Sequence, residues 1–369
     1  MILRQLFFLI ICCVLILPAI ASGISLKELG RFAVGDDDHV FGQSSGNIIV
    51  TDGSSIKFHD RRWKVRSTVK LDSGQSAIVA ENGLYYAIVE ARQEPDSNAV
   101  GGIVNVYDLR QTPLWGAFDM RKGDHYLSPS GDYIVTVTGT PGWLDYEVHI
   151  YHKNHPPVDY KIEFFEDLYF SDNGEFFLVD CGLKGGRLIN SSGELVDSTG
   201  VFQGCAFSEK GELFALYDKG IINVYKGRKL YADHDFQQLL IKRMVVRKEV
   251  NLLVSAFHDM IVVNRLDNGE NLWRYNTEKE NGRFVSMDVS PDNKFVACGV
   301  DVNVGRKVVK EKRHVQGFLY VYDIGGQVVE MKEFRYTTYI EGTPEVSFGP
   351  DGRTIFVRTS GLIYVIGVF

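Results

Sequence analysis

Apolar and polar positions alternate in short runs along almost the whole chain, and the runs are punctuated by one recurring turn: an apolar residue, a short polar stretch ending in Gly or Asn, then a run rich in Val, Ile, Tyr and Phe. Its clearest copies are Phe170-Ser171-Asp172-Asn173-Gly174, Phe207-Ser208-Glu209-Lys210-Gly211, Val289-Ser290-Pro291-Asp292-Asn293 and Phe348-Gly349-Pro350-Asp351-Gly352. A period of two with turn residues at the breaks is the signal of antiparallel strands. Each unit reads as four strands, here called A to D: one leading into the turn, then runs such as 132–138, 102–107 and 114–118 in its neighbours. No stretch sustains a helical period, so the chain is predicted to be close to all-β.

With the turn residue as anchor, the copies fall at Gly46, Gly83, Gly131, Gly174, Gly211, Glu249, Asn293 and Gly352, at intervals of 37, 48, 43, 37, 38, 44 and 59 residues. Repetition near 40 residues marks a chain of supersecondary units that bury their apolar faces only against one another. The expected fold is a single β-propeller of four-stranded antiparallel blades over residues 23–369. Eight anchors give eight blades; seven is the alternative, because the Gly46 and Glu249 copies are the weakest. The last unit supplies strands A, B and C (345–348, 354–358, 362–368) and stops at Phe369, whereas 26–34 precedes the first strand A and reads as a strand D. Pairing the two would close the ring and remove an exposed sheet edge.

The Ser290-Pro291-Asp292-Asn293 turn and the strand endings Val106-Tyr107-Asp108 and Val321-Tyr322-Asp323 resemble WD-repeat blades. The run Leu266-Asp267-Asn268-Gly269-Glu270-Asn271-Leu272-Trp273-Arg274 resembles a quinoprotein-like (PQQ-like) blade, whose ending typically reads Asp-x-x-x-Gly-x-x-x-Trp. The resemblance covers residues 26–369 and implies the propeller fold. It implies no particular chemistry, since propellers host unrelated functions.

The N-terminus changes the expected address. Arg4 precedes an apolar run from Leu6 to Leu17, then Pro18 and the small-x-small pattern Ala19-Ile20-Ala21. Such a core is short for a spanning helix and suits an export signal over residues 1–22, with a retained anchor as the alternative. A secreted or periplasmic location follows, with no stable membrane insertion after cleavage. The formal net charge of −7 lacks the basic footprint of a phosphate-backbone binder, which excludes nucleic acid as the expected partner. Outside the leader stand Cys181, Cys205 and Cys298, too few for a disulfide-framed scaffold. Cys181 ends one unit's second strand and Cys205 begins the next unit's first, so one bridge between them and free thiols are both open.

Candidate chemistry follows from propeller geometry, in which D–A and B–C connections open on one face and A–B and C–D turns on the other. The long insertions Arg92–Gly101, Gly139–Asp145 and Gly299–Gly317 are all B–C connections and should crowd one face, the usual place for recognition. The third carries Arg306, Lys307, Lys310, Lys312, Arg313 and His314, a basic loop suited to an acidic partner or polysaccharide, and its Val308 and Val309 suggest two strands projecting from blade seven. Seven residues before each anchor the chain starts strand A at the channel mouth: His39, Ser76, Asp124, Asp167, Gly204, Lys242, Ser286 and Glu345. Of these, His39, Asp124, Asp167, Lys242 and Glu345 are the candidate ligand-binding set, and converging His and carboxylate groups there would hold a divalent cation. His149, His152 and His155 read as surface histidines in the C–D connection of blade three. Gly42-Gln43-Ser44-Ser45-Gly46 matches G-x-S-x-G, but a strand-to-strand turn lacks the strand-to-helix elbow that exposes a nucleophile, so it is read as coincidence.

These readings predict an exported, monomeric binding or scaffold module for a protein or glycan, without a cofactor and with no catalytic residue assigned. The alternative is an exported enzyme, lactonase-like with a divalent cation at the mouth or quinoprotein-like.

Overall fold

The computed structural model describes residues 24–35, 38–42, 45–60, 62–91, 102–139, 145–236, 241–277, 282–303, 313–338 and 344–369. Residues 1–22, the expected export signal, lie outside them. The described strands form eight four-stranded antiparallel sheets, and in seven of them the strand order follows the chain. The blades span 39–70, 75–120, 124–162, 167–198, 204–235, 241–276, 282–338 and, for the eighth, 345–368 together with 26–33. Eight is therefore the blade number.

The eighth blade closes the ring as the strand pattern predicts. Leu26–Ala33 runs antiparallel to Leu362–Val368, from Leu26 opposite Val368 to Ala33 opposite Leu362, with a bulge at Leu29. Ser25 and Phe369 exchange backbone hydrogen bonds of 2.8 and 3.0 Å beyond the ladder. A chain whose ends share one sheet leaves no unpaired final strand.

The recurring serine of the turn signature has a defined task. Ser171, Ser208 and Ser290 are buried, and their Oγ atoms accept the N–H groups of Phe176, Leu213 and Phe295 at 3.0, 3.0 and 2.9 Å. Ser128 does the same for Tyr133 at 3.3 Å. The hydroxyl thus satisfies a backbone donor where the hairpin opens, which explains its place beside the left-handed residue. In blade six the left-handed residue is Asn251 (φ 56), not Glu249. There Arg247 pairs directly with Leu252, and Asn251 N–H donates to Lys248 O at 3.1 Å, so the turn closes on Asn, which tolerates that conformation.

Among the described residues the buried apolar side chains gather into eight clusters, each spanning one interface between neighbouring blades. The interface between blades eight and one is included: Phe356, Ile363 and Val365 pack with Ile48 and Val50. The core is thus a ring of inter-blade layers, as expected of units that cannot bury their faces alone. Two tryptophans pin blades together. Trp115 of blade two donates its indole N–H to Gly131 O of blade three, and Trp273 of blade six donates to Ile324 O of blade seven, both at 2.8 Å.

Candidate binding face and channel mouth

The first strands of adjacent sheets meet around the hub, and their starts place one residue per blade at the channel mouth. In register these are His39 opposite Thr51, Asp124 opposite Val137, Asp167 opposite Asp180 and Glu345 opposite Arg358. In blade six the paired position belongs to Arg243, opposite Ala256, and the exposed Lys242 sits in a bulge beside it. Val246 lies opposite Leu253 at the same spacing as Phe170 and Phe177 in blade four, so the position matching Gly174 is Val250, and an anchor at Glu249 sets the count one residue early.

The mouth is not a uniform polar ring. Ser286 is buried and structural: its Oγ donates to Pro344 O at 2.6 Å and accepts from Val346 N–H at 3.1 Å, tying blade seven to blade eight. Glu345 is 3.9 Å from Arg358, whose other terminal nitrogen donates to Asp38 O at 2.6 Å. His39 is exposed beside the Phe41 ring. Asp124 of blade three and Asp167 of blade four both act on Tyr126: burial, then these two charges, push its hydroxyl up to about 12. Burial also raises Asp180 to about 6, against the Gly182 N–H that donates to it at 2.8 Å and with the help of Glu166 and Asp167. Blades three and four thus give the mouth a negative sector, and Lys242 and Arg243 give blade six a positive one. Asp36, Asp37 and Glu341 lie outside the described residues. Among those described, no three His, Cys, Asp or Glu side chains come together as a metal site would require.

A second charged cluster, unmarked in the sequence reading, lines the channel toward the A–B turns. Asp288 accepts Phe348 N–H at 2.7 Å and Val289 N–H at 2.8 Å; burial raises its pKa, opposed by Arg243 and Arg247. Arg247 donates to Val289 O at 3.0 Å. Asp172 is raised to about 6 by burial, against the pull of Arg247 and with the repulsion of Glu81, Asp288 and Glu209. Asp172 touches water yet is hemmed in by protein, as a channel wall requires. The signal was present: Glu81, Asp172 and Glu209 each follow the first residue of an A–B turn.

The long B–C insertions fall largely outside the described residues, including Arg306, Lys307, Lys310 and Lys312. Arg313 begins a strand of blade seven, Arg313–Asp323, that pairs with Phe295–Asn303 and Val328–Thr338. Two of that blade's strands reach 11 residues, so the sheet does extend toward the B–C face.

The same face carries a feature that sequence reasoning missed. The B–C connection of blade four is a 3₁₀ turn, Gly182–Lys184, and its tip Leu183 is 88% exposed. Gly182 has φ 56, and a Cβ there would meet the Phe164 ring at 2.8 Å, so the turn lies against Phe164. Phe164 and Phe165 in turn stand 6.4 and 6.3 Å from the Tyr146 ring, and Val201 of the adjoining D–A loop is 40% exposed. A lone Leu in a polar connection carries no periodic signal, which is why the pattern did not mark it.

Two smaller expectations are resolved. Cys181, Cys205 and Cys298 are free thiols, so the Cys181–Cys205 bridge does not form. His149 and His152 lie within the third strand of blade three, Tyr146–His152, rather than in the connection after it. His149 is a core residue instead of a surface one: its Nδ1 is 2.7 Å from Asp159 Oδ1 and its Nε2 is 3.2 Å from Thr138 Oγ1.

No helix among the described residues is long and apolar enough to cross a membrane. No protein-family profile and no curated protein matches the sequence. Solved structures do match in fold. BamB from Moraxella catarrhalis aligns with a TM-score of 0.53 at 9% identity, covering 93% of this chain and 100% of its own. A eukaryotic initiation factor aligns at 0.53 and 11% identity, covering 83% and 90%. The β-propeller domain of Cps50 (Swd1) from Myceliophteria thermophila aligns at 0.50 and 12% identity, covering 94% and 100%. The described residues form an eight-bladed β-propeller, and the likeness to these structures is one of fold.

Proposed function

We propose that this propeller is an exported scaffold that docks a protein partner on the face where its D–A and B–C connections open. Three neighbours with three different names on one ring mean that the fold does not choose the task, and the site has to. The observation that carries the reading is Leu183, 88% exposed on a turn packed against Phe164. Holding a large apolar side chain in water is unfavourable, and an apolar anchor ringed by polar groups is the usual centre of a docking surface. Glu166, whose carboxylate lies against Gly182, and Asp167, opposite Asp180, favour a partner segment with basic side chains around an apolar one. The N-terminal leader pattern supports export, and the basic 306–313 loop supports a second, acidic contact on the same face. A glycan remains the second reading for that loop.

The test is co-purification of the secreted full-length chain from its native source, wild type against Leu183→Asp. Loss of a bound protein in the variant, with an unchanged melting temperature, supports the proposal. A partner retained at wild-type level by Leu183→Asp sinks it.

A further inference from the structure

A cavity of about 400 Å³ lies between blades one and two on the opposite face, where A–B and C–D turns open. Its lining combines apolar side chains, among them Phe58 and Leu109, with the cationic Arg66 and Arg110 and the polar Gln111. A volume in this range with an apolar lining and a few convergent polar groups suits a small molecule.

The rim carries charge that the protein itself does not answer. Among the described residues neither Arg66 nor Arg110 has a side-chain partner, and no carboxylate lines the cavity. The two nearest acids in sequence are committed to their own turns. Asp60 accepts the N–H groups of Arg62 and Lys64 at 2.7 and 3.0 Å, and Asp108 accepts those of Arg110 and Thr112, both at 2.9 Å.

Backbone conformation supplies an independent indication. Gln111 closes the C–D turn of blade two with φ 64, its N–H donating to Asp108 O at 2.9 Å. The same turn ends in Gly193 (φ 82) in blade four and Gly326 (φ 89) in blade seven, which take this conformation without strain, and in Trp63 (φ 63) in blade one, whose ring packs edge-on to Phe356. Blade two instead holds a long polar side chain there, and it crosses to blade one, with Nε2 3.4 Å from Ser67 Oγ at the cavity rim. Strain retained for the sake of a side chain is a mark of a functional site.

We propose that this cavity binds a small organic anion, a carboxylate or phosphate group carried on an apolar body. The two guanidinium groups would take the anionic head with Gln111 completing its hydrogen bonds, and the body would rest on Phe58 and Leu109. This inference is independent of the docking face.

Calorimetry and thermal shift on the full chain with phenyl phosphate, phenylacetate and inorganic phosphate test it. At least one organic anion should bind and raise the melting temperature, more tightly than inorganic phosphate, and the stronger of the two identifies the head group. Arg66→Ala and Arg110→Ala should each weaken that binding about ten-fold or more. Gln111→Gly should also weaken it, while the ligand-free protein melts no lower than wild type, an outcome that a purely structural glutamine would not give. Far-UV circular dichroism establishes that each variant folds. Absence of binding by both organic anions, equal binding of inorganic phosphate, or binding unchanged in both arginine variants would overturn the proposal.

Discussion

The indole N–H of Trp273 donates to the carbonyl of Ile324 at 2.8 Å, fastening the outer strand of blade six to a turn of blade seven. The ring also lies tilted against Tyr322 and covers Gly326, where an added Cβ would meet it at 2.6 Å. Trp273→Phe keeps most of the contact area and removes the donor. It should lower stability by about 1 kcal/mol, measured by urea unfolding.

Closure of the ring rests on residues 26–33. A chain lacking them would leave Leu362–Val368 as an unpaired apolar edge, with Ile363, Val365 and Ile366 uncovered on one side of the ladder. The truncated protein should aggregate on refolding where the full chain does not, as light scattering would show. A monomeric truncation with wild-type melting would contradict the role given to this strand.

The turn of blade six makes a sharper point. Asn251 occupies the left-handed region at φ 56, which asparagine accepts and alanine resists. Asn251→Ala should cost about 1 kcal/mol, whereas Asn251→Gly should be close to neutral. The corresponding pair of substitutions at Glu249 should show no such difference.

Stability should fall between pH 4 and 7 in part through Asp180. Burial raises its pKa to about 6 in the folded chain, above the unfolded value near 4, so the folded state holds its proton more tightly. The contribution is complete below about pH 4 and is lost as pH rises through 6. Asp180→Asn retains an oxygen for the Gly182 N–H and removes the titration. The variant should lose less stability over this window than wild type does, by about 1 kcal/mol in urea unfolding at pH 4 and pH 7. Asp172 shifts in the same direction and should leave a residual slope.

Leu183 and Leu188 are five residues apart and should behave oppositely. Leu188 is 3% exposed in the layer between blades four and five, so Leu188→Ala should cost about 2–5 kcal/mol. Leu183→Ala should leave thermal unfolding within about 0.5 kcal/mol of wild type, because that side chain packs on nothing that folding requires.

Much of the architecture was legible because it is written locally. A period of two fixes which side chains face the neighbouring blade, and Ser171 or Ser290 beside a left-handed Gly or Asn fixes where each hairpin turns. The candidate mouth was legible only in part. Counting back from turn anchors reached His39, Asp124, Asp167 and Glu345, but in blade six it reached the bulged Lys242 beside the paired Arg243, because that turn carries no Gly and its anchor, Glu249, stood one residue early. Burial of Ser286 and His149 was hidden for another reason: their partners are Pro344 and Thr138 with Asp159, and a polar residue's burial depends on who satisfies it.

By itself the sequence determined the all-β blades and the pairing of the chain's two ends, and it put eight blades ahead of seven, since each follows from alternation and turn chemistry within a few residues. The tertiary structure alone decided which charges meet in the channel, that Leu183 stands in water, and that Arg66 and Arg110 share one cavity. Those facts depend on contacts between blades, where residues dozens of positions apart are brought together by packing, and no local pattern encodes such a distance.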